Sequence, residues 1–169
     1  DEEAKRCSPG CSGLLYLPPL PGSKRDAKYG HPIGDFIGVS QLHSRKDFAR
    51  AIMEGVAYAL KAGVSMLQAE GHRKLTELRF GGGGSRSPLW REIVADTIGL
   101  PVITLATEET AALGAAIMAA WGAGLYPTLE DAVNGMVHID KRQEPDSSRA
   151  TAYEEVAGRR DRIYHSLYG

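Results

Sequence analysis

The sequence predicts an α/β fold whose core sheet is at least partly parallel. Three observations carry this prediction. Short apolar runs at Leu14–Leu17, Leu75–Phe80 and Pro101–Thr104 have the length and composition of buried strands. The segments that follow the second and third of these runs place apolar residues at helical spacing. Glycine and proline punctuate the joins, as at Pro18-Pro19, Gly71 and Gly99. Strands that alternate with helices are connected by crossovers, and crossovers join parallel neighbours.

The elements follow in order. Residues 1–12 are polar and rich in Ser, Pro and Gly, and read as a leader or linker ahead of one domain over 13–169. The chain has the character of an excised domain or a fragment of a longer protein. Leu14–Leu17 is a short strand, ended by Pro18-Pro19, which removes ladder donors. Residues 18–34 form a long loop, of a length that is usually functional or mobile. Asp35–Val39 reads as a second strand. Ser44 caps the next helix, with Asp47 three residues on as an acidic capping box. Phe48, Ile52, Val56, Leu60, Gly63 and Leu67 recur at helical spacing along this helix, which Gly71 ends. Its small residues, Gly55, Ala57, Ala59, Ala62 and Gly63, are expected to let a neighbour pack close.

A helix then runs from Pro88, well suited to a first helical position, to about Ile98, with Gly99 ending it. Thr110 or a near neighbour starts an Ala-rich helix to about Gly122. Gly114 lies inside it, where a missing Cβ suggests that something approaches the backbone. Leu129–Met136 is a shorter helix and Val137–Asp140 an edge strand. Ala150–Leu167 is a final amphipathic helix carrying Tyr153, Val156, Ile163, Tyr164 and Leu167.

Composition excludes several classes. A net charge of −1 supplies no basic excess for nucleic-acid phosphates. No apolar run approaches the length of a membrane span, and the charged start lacks the apolar core of a signal peptide. The two cysteines, Cys7 and Cys11, form one Cys-x₃-Cys pair without a second pair and read as free thiols of a cytoplasmic protein. The five histidines are scattered, so no protein-held metal is expected.

The most informative stretch is Phe80-Gly81-Gly82-Gly83-Gly84-Ser85-Arg86-Ser87-Pro88-Leu89-Trp90. Four consecutive glycines cost folding entropy, so a close approach to bare backbone is the expected reason for them. A strand, a glycine turn and a helix N-terminus also gather amide N–H groups at one point, which suits a nucleotide. The run is neither a dinucleotide fingerprint, whose third glycine is missing, nor a P-loop, whose lysine is missing. It suits the base or sugar end of a nucleotide instead. Ser87 has two compatible roles: capping the helix, or hydrogen bonding to an adenine edge or ribose. No nucleophile elbow occurs, and the pairs Glu2-Glu3, Glu108-Glu109 and Glu154-Glu155 read as solvated faces or helix starts.

Taken together, several strings resemble the FGGY carbohydrate kinases. Phe80 to Asp96 resembles their adenosine motif, and Glu109-Thr110-Ala111-Ala112-Leu113-Gly114-Ala115-Ala116 the next motif. Gly38-Val39-Ser40 with Phe48 to Tyr58 resembles the strand and long helix upstream, and Leu15-Tyr16-Leu17-Pro18 the strand that opens the segment. Order and spacing agree over residues 13–124, and the look is toward xylulokinase-like members. The resemblance implies an actin-like ATPase (ribonuclease H-like) domain with a mixed sheet flanked by helices. It makes 13–169 the C-terminal kinase domain, with the N-terminal lobe absent from this chain.

It also implies phosphoryl transfer from Mg-ATP to a sugar hydroxyl, with an aspartate as base. By position, Gly83 would present its backbone to the adenosine and Ser87 would reach the adenine. Gly82 and Gly84 would keep the approach open, and Gly114 would bring the next helix close. Mg²⁺ would be held mainly by ATP and the missing lobe. The implied partners are a small-molecule sugar such as xylulose, ATP, the missing lobe and at most a second copy in a homodimer. Nucleic acid and membrane are not among them.

Two stretches depart from the family pattern. Gly22-Ser23-Lys24-Arg25-Asp26-Ala27 stands where the family shows Gly-Glu-Arg-x-Pro. The family's catalytic aspartate has no counterpart, since Asp35 starts a strand and Asp47 and Asp96 belong to helices. Two other classes compete with this reading: a dinucleotide-binding oxidoreductase domain, and a non-catalytic module whose glycine loop binds a protein.

Overall fold

The computed structural model describes residues 1–18, 30, 31, 33–71 and 74–168. The departing stretch 22–27 and most of the long loop lie outside these residues. Five strands and five α-helices are described: β1 (Leu15–Leu17), β2 (Asp35–Ile37), α1 (Arg45–Gly71), β3 (Leu78–Phe80), α2 (Pro88–Ile98), β4 (Val102–Leu105), α3 (Thr110–Gly122), α4 (Leu129–Met136), β5 (Ile139–Gln143) and α5 (Ser147–Tyr168).

The sheet is mixed and falls into two pieces. β1 and β2 form an antiparallel pair with Leu15 opposite Ile37. β3, β4 and β5 form the second piece, with β3–β4 parallel and β4–β5 antiparallel. The parallel pair follows from its connection, since α2 carries the chain back across the sheet between β3 and β4. The expected edge strand at Val137–Asp140 starts later, at Ile139, and runs to Gln143 along β4. The second strand is shorter than expected, and β3 starts at Leu78 rather than Leu75.

α1 organises the core. Its N-terminal half packs on β1 and α2. Ala57, Tyr58, Ile93, Val94, Val102 and Tyr153 form the main apolar cluster, and all are nearly inaccessible. Burying each aliphatic side chain there contributes roughly 1.5–3 kcal/mol. Gly55 is where α1 touches β1: a Cβ would lie 2.3 Å from the Tyr16 carbonyl oxygen. The expectation of close packing therefore holds at Gly55 and Ala57. It fails beyond Ala59: Ala62 and Gly63 are exposed, as are Leu60, Met66 and Leu67. The helix keeps its apolar spacing past the point where described residues cover it.

Residues 1–12 are folded against the domain. Two 3₁₀ turns, at Ala4–Arg6 and Cys11–Gly13, bury Ala4, Cys7 and Cys11 against α1. The physical reason is a buried polar knot that the composition hid. Arg50 Nε donates to Glu54 Oε1 at 2.8 Å, and Arg50 Nη2 to the Tyr153 hydroxyl at 2.7 Å. The Gly10 amide donates to both Glu54 carboxylate oxygens at 3.2 and 3.1 Å. Both cysteines are free and buried, and Cys7 Sγ donates to Asp47 Oδ1 at 3.2 Å. Burial pushes the Cys7 thiol up to about 11 and raises Cys11 further, so neither is a thiolate at neutral pH.

The helix ends follow the sequence closely. The Ser44 amide donates to Asp47 Oδ2 at 2.8 Å, the return half of the capping box. Thr128 caps α4 by accepting the Asp131 amide at 3.1 Å. Asp96, fully buried on α2, accepts the Asp146 amide and Arg149 Nε, which ties the start of α5 to α2.

Candidate functional site

The glycine loop lies at the C-terminal end of β3, beside the C-terminal end of its parallel neighbour β4, which leads through residues 106–109 into α3. Two contacts tie these neighbouring loops together. Arg86 Nε pairs with Glu108 Oε2 at 2.8 Å. Gly81 packs on Thr110, the first residue of α3.

The four glycines have four different relations to the fold. At Gly81 a Cβ would lie 2.5 Å from Thr110 Cγ2, so the protein's own packing excludes one. Gly82 has φ 80° and ψ −179°, a region essentially confined to glycine. At Gly84 a Cβ would press on the Trp90 ring at 3.3 Å. Gly83 has no such reason: it is exposed, its φ is not positive, and nothing lies within 4 Å of where a Cβ would stand. Gly114 is alike, exposed with open space around its Cβ position. It lies one helical turn beyond Thr110, on the same face of α3.

Residues 83–86 form a 3₁₀ turn that is held from inside. The Ser85 amide donates to the Gly82 carbonyl at 3.0 Å, and Ser85 Oγ donates to the same oxygen at 2.7 Å. Arg91 Nη1 donates to the Ser85 carbonyl at 2.5 Å from a buried position on α2. The loop is therefore fixed in place, although its glycines carry no side chain.

Ser87 caps α2, its Oγ accepting the Trp90 amide at 3.0 Å, with Pro88 at the first helical position. That leaves the hydroxyl proton and one lone pair for another partner. Ser87 also lines a cavity of about 310 Å³ with Gly84, Trp90, Ile52, Met53, Val56 and Asp1. The size falls at the lower end of small-ligand sites, and the walls are mostly apolar, as a base would require.

Of the expected site residues, the fold brings Gly84 and Ser87 onto this cavity and sets Gly82 and Gly83 in the same turn. Gly114 is on the adjoining helix and does not line the cavity. Sequence reasoning missed Trp90 and Arg91, the wall and the brace. Both stand in the quoted string, but only burial reveals their roles. It also missed the α1 wall of Ile52, Met53 and Val56, read only as helix packing. Among the described residues no group of three or more His, Cys, Asp or Glu could hold a metal ion. Asp35, which starts β2, accepts the Tyr168 hydroxyl at 2.6 Å.

A structured glycine turn, a capped helix and an adjoining Ala-rich helix are thus carried together on an α/β mixed sheet. Comparison with known proteins makes this specific. The model of the FGGY family of carbohydrate kinases, C-terminal domain, matches residues 1–123, and the chain belongs to that family. A xylulose kinase from Staphylococcus epidermidis is 34% identical over 159 residues, covering 94% of this chain and 31% of that protein. An autoinducer-2 kinase from Salmonella choleraesuis is 28% identical over 97% of this chain and 31% of that protein. The crystal structure of a xylulose kinase from Rhodospirillum rubrum superposes with a TM-score of 0.80 at 30% identity, covering 98% of this chain and 33% of that one. The fold is the actin-like, ribonuclease-H-type α/β class. The chain spans about a third of the length of the relatives it matches.

Proposed function

We propose that this chain is the adenosine-binding portion of an ATP-dependent sugar kinase that works with the polypeptide its relatives carry in addition. The observation that supports this reading is Gly83. It is a glycine in a rigid turn that neither backbone angle nor packing requires, beside a mostly apolar cavity reached by the Ser87 hydroxyl. Gly114 has the same property on the neighbouring helix. A purine lying on the turn accounts for both, because a Cβ would meet only ligand.

ATP, when bound, supplies the γ-phosphoryl group for transfer to a sugar hydroxyl. The roles of this chain's own residues are binding and orientation. Peptide planes at 82–84 carry the base, Ser87 offers its free proton or lone pair to the base or ribose, and Trp90 with Ile52, Met53 and Val56 excludes water. The amides that open α2 favour negative charge nearby. Among the described residues no carboxylate cluster fits Mg²⁺, and the metal is assigned to the nucleotide phosphates and the remaining lobe. The acceptor is a pentulose such as xylulose or a related polyol, in line with the named relatives. The two free, buried thiols favour a reducing, cytoplasmic setting. Among the described residues no helix is long and apolar enough to cross a membrane.

The test is titration of ADP into the 169-residue chain, read by calorimetry. Binding is expected, and Gly83→Val is expected to weaken it about tenfold while leaving the melting temperature in place. Unchanged affinity in the variant would remove the assigned contact. The chain alone is expected to make no ADP from ATP when xylulose is added, because none of its described residues is assigned the role of catalytic base; sugar-dependent turnover would refute that.

A further inference from the structure

A second pocket, of about 290 Å³, lies between the glycine turn, the chain that leaves β4 and the start of β5. Its polar walls come from Ser85, Arg86, Arg91, Glu108, Asp140 and Lys141. It shares no lining residue with the cavity assigned to the base. Arg91 is its unusual member. The residue is only 8% exposed, yet it has no carboxylate partner among the described residues. Its one side-chain bond runs from Nη1 to the uncharged Ser85 carbonyl. Nε and Nη2, side by side on one edge of the planar group, have no acceptor among the described residues. No atom of Arg91 is among the partnerless side-chain atoms that are closed off from solvent, so this free edge keeps access to the pocket that Arg91 lines. A guanidinium held largely out of water without a counter-charge is unfavourable. Two donors fixed on one planar edge match the two oxygens of a single oxyanion.

The remaining charges define that anion. Arg86 is paired with Glu108 at 2.8 Å, and Lys141 with its neighbour Asp140 at 3.7 Å. These pairs cancel, and Arg91 is the surplus: three cations against two carboxylates leave the lining with one net positive charge. One negative charge balances it. A second would face Glu108 and Asp140 with nothing left to offset it. We propose that this pocket binds a small carboxylate, both oxygens on the Nε–Nη2 edge of Arg91, at a site separate from the nucleotide. Arg91 then has two employments: Nη1 holds the glycine turn through Ser85, and the free edge holds the ligand.

The experiment uses the 169-residue chain at low ionic strength, acetate as the probe and the Arg91 Nε–Hε resonance as the reporter. Acetate is expected to move this resonance saturably, beyond the effect of sodium chloride at equal ionic strength. Asp140→Asn removes a competing carboxylate and is expected to tighten acetate about threefold, and Lys141→Gln to weaken it by a similar factor. Both side chains are exposed and neither bonds Arg91, so these variants leave the brace of the turn intact. Arg91→Lys keeps the charge but gives up the two-donor edge, and is expected to weaken acetate about tenfold, read on the amides of residues 104–108. A shift no larger than the salt control would overturn the proposal. So would unchanged affinity in Arg91→Lys, or equal affinity in Asp140→Asn and Lys141→Gln. Inorganic phosphate at about pH 8, where it is chiefly a dianion, is the second arm. Tighter binding of phosphate than of acetate would overturn the assigned class.

Discussion

Two regions of the molecule use polar chemistry in opposite ways. Around Arg50 and Glu54, charges are buried and their main bonding groups meet protein: the Gly10 amide, the Tyr153 hydroxyl, the Ala4 carbonyl. Burial raises the Glu54 carboxyl, while Arg50 and the Gly10 amide work to keep it ionised. At Gly81–Ser87 the turn is equally well held from beneath, by Arg91 and Ser85, but its glycines 81–84 present no side chain. The first region uses its groups to fix residues 1–12 onto α1. The second leaves Gly83 without internal employment. A position the fold does not need is where a ligand can explain the residue.

The largest expected effect breaks the closed region. Glu54→Ala leaves the Arg50 guanidinium buried without its carboxylate and should cost about 3–5 kcal/mol in chemical denaturation. The double variant Arg50→Met, Glu54→Leu should recover part of that loss, because no unpaired charge remains. A cost below about 1 kcal/mol for Glu54→Ala would mean that the knot is solvated and that residues 1–12 are loosely attached.

Next comes a pair of glycines that sharpens the comparison. Gly55→Ala drives a Cβ toward the Tyr16 carbonyl, so strand or helix must move, at about 1–3 kcal/mol. Gly83→Ala meets nothing and should change stability by no more than about 0.5 kcal/mol, while adenine-nucleotide affinity falls. Equal destabilisation by the two variants would erase the distinction between a glycine kept for packing and one kept for a ligand.

The sequence announced the second region far better than the first. Ser87, Pro88 and Gly99 mark the ends of α2 because caps and breakers act locally, and the helix bounds came out as read. Thr110–Gly122 and Leu129–Met136 were legible for the same reason. The knot was not. Gly10, Arg50, Glu54 and Tyr153 lie up to 143 positions apart in a chain of 169, and nothing in a polar, glycine-rich opening segment says that its amide will meet a buried carboxylate. The exposed second half of α1 misled in the opposite sense: Leu60 and Leu67 keep the helical spacing, but periodicity records only which face is apolar, not whether anything covers it. Within the site, the glycines were readable as glycines, but their division into packing, backbone and open positions needed the coordinates of Thr110 and Trp90.

A smaller effect separates the two roles of Ser87. Ser87→Ala removes the acceptor of the Trp90 amide and should cost about 1 kcal/mol. Ser87→Asp keeps a good cap but sets a carboxylate on the cavity, so stability should be retained while ADP affinity falls. If Ser87→Asp binds ADP as well as the parent, the side chain is a cap alone.

The smallest effect lies on the acid side and belongs to the closed region. Backbone hydrogen bonding from Ser44, with further bonds from Cys7 and the Ser44 side chain, holds the Asp47 carboxyl down to about 2 against its burial. Its folded value lies below the ordinary aspartate value of about 3.9, so the unfolded chain binds the proton first. The stability this group contributes is present above that ordinary value and is lost as pH falls through the folded one, between roughly 4 and 2. In Asp47→Asn the contribution is absent at every pH. The parent should therefore be the more stable at pH 7, and the gap between the two denaturation midpoints should close as pH drops through that window. A gap that stays constant down to pH 2 would show that the Asp47 carboxyl titrates alike in the folded and unfolded chain, and that the cap of α1 depends on geometry rather than on charge.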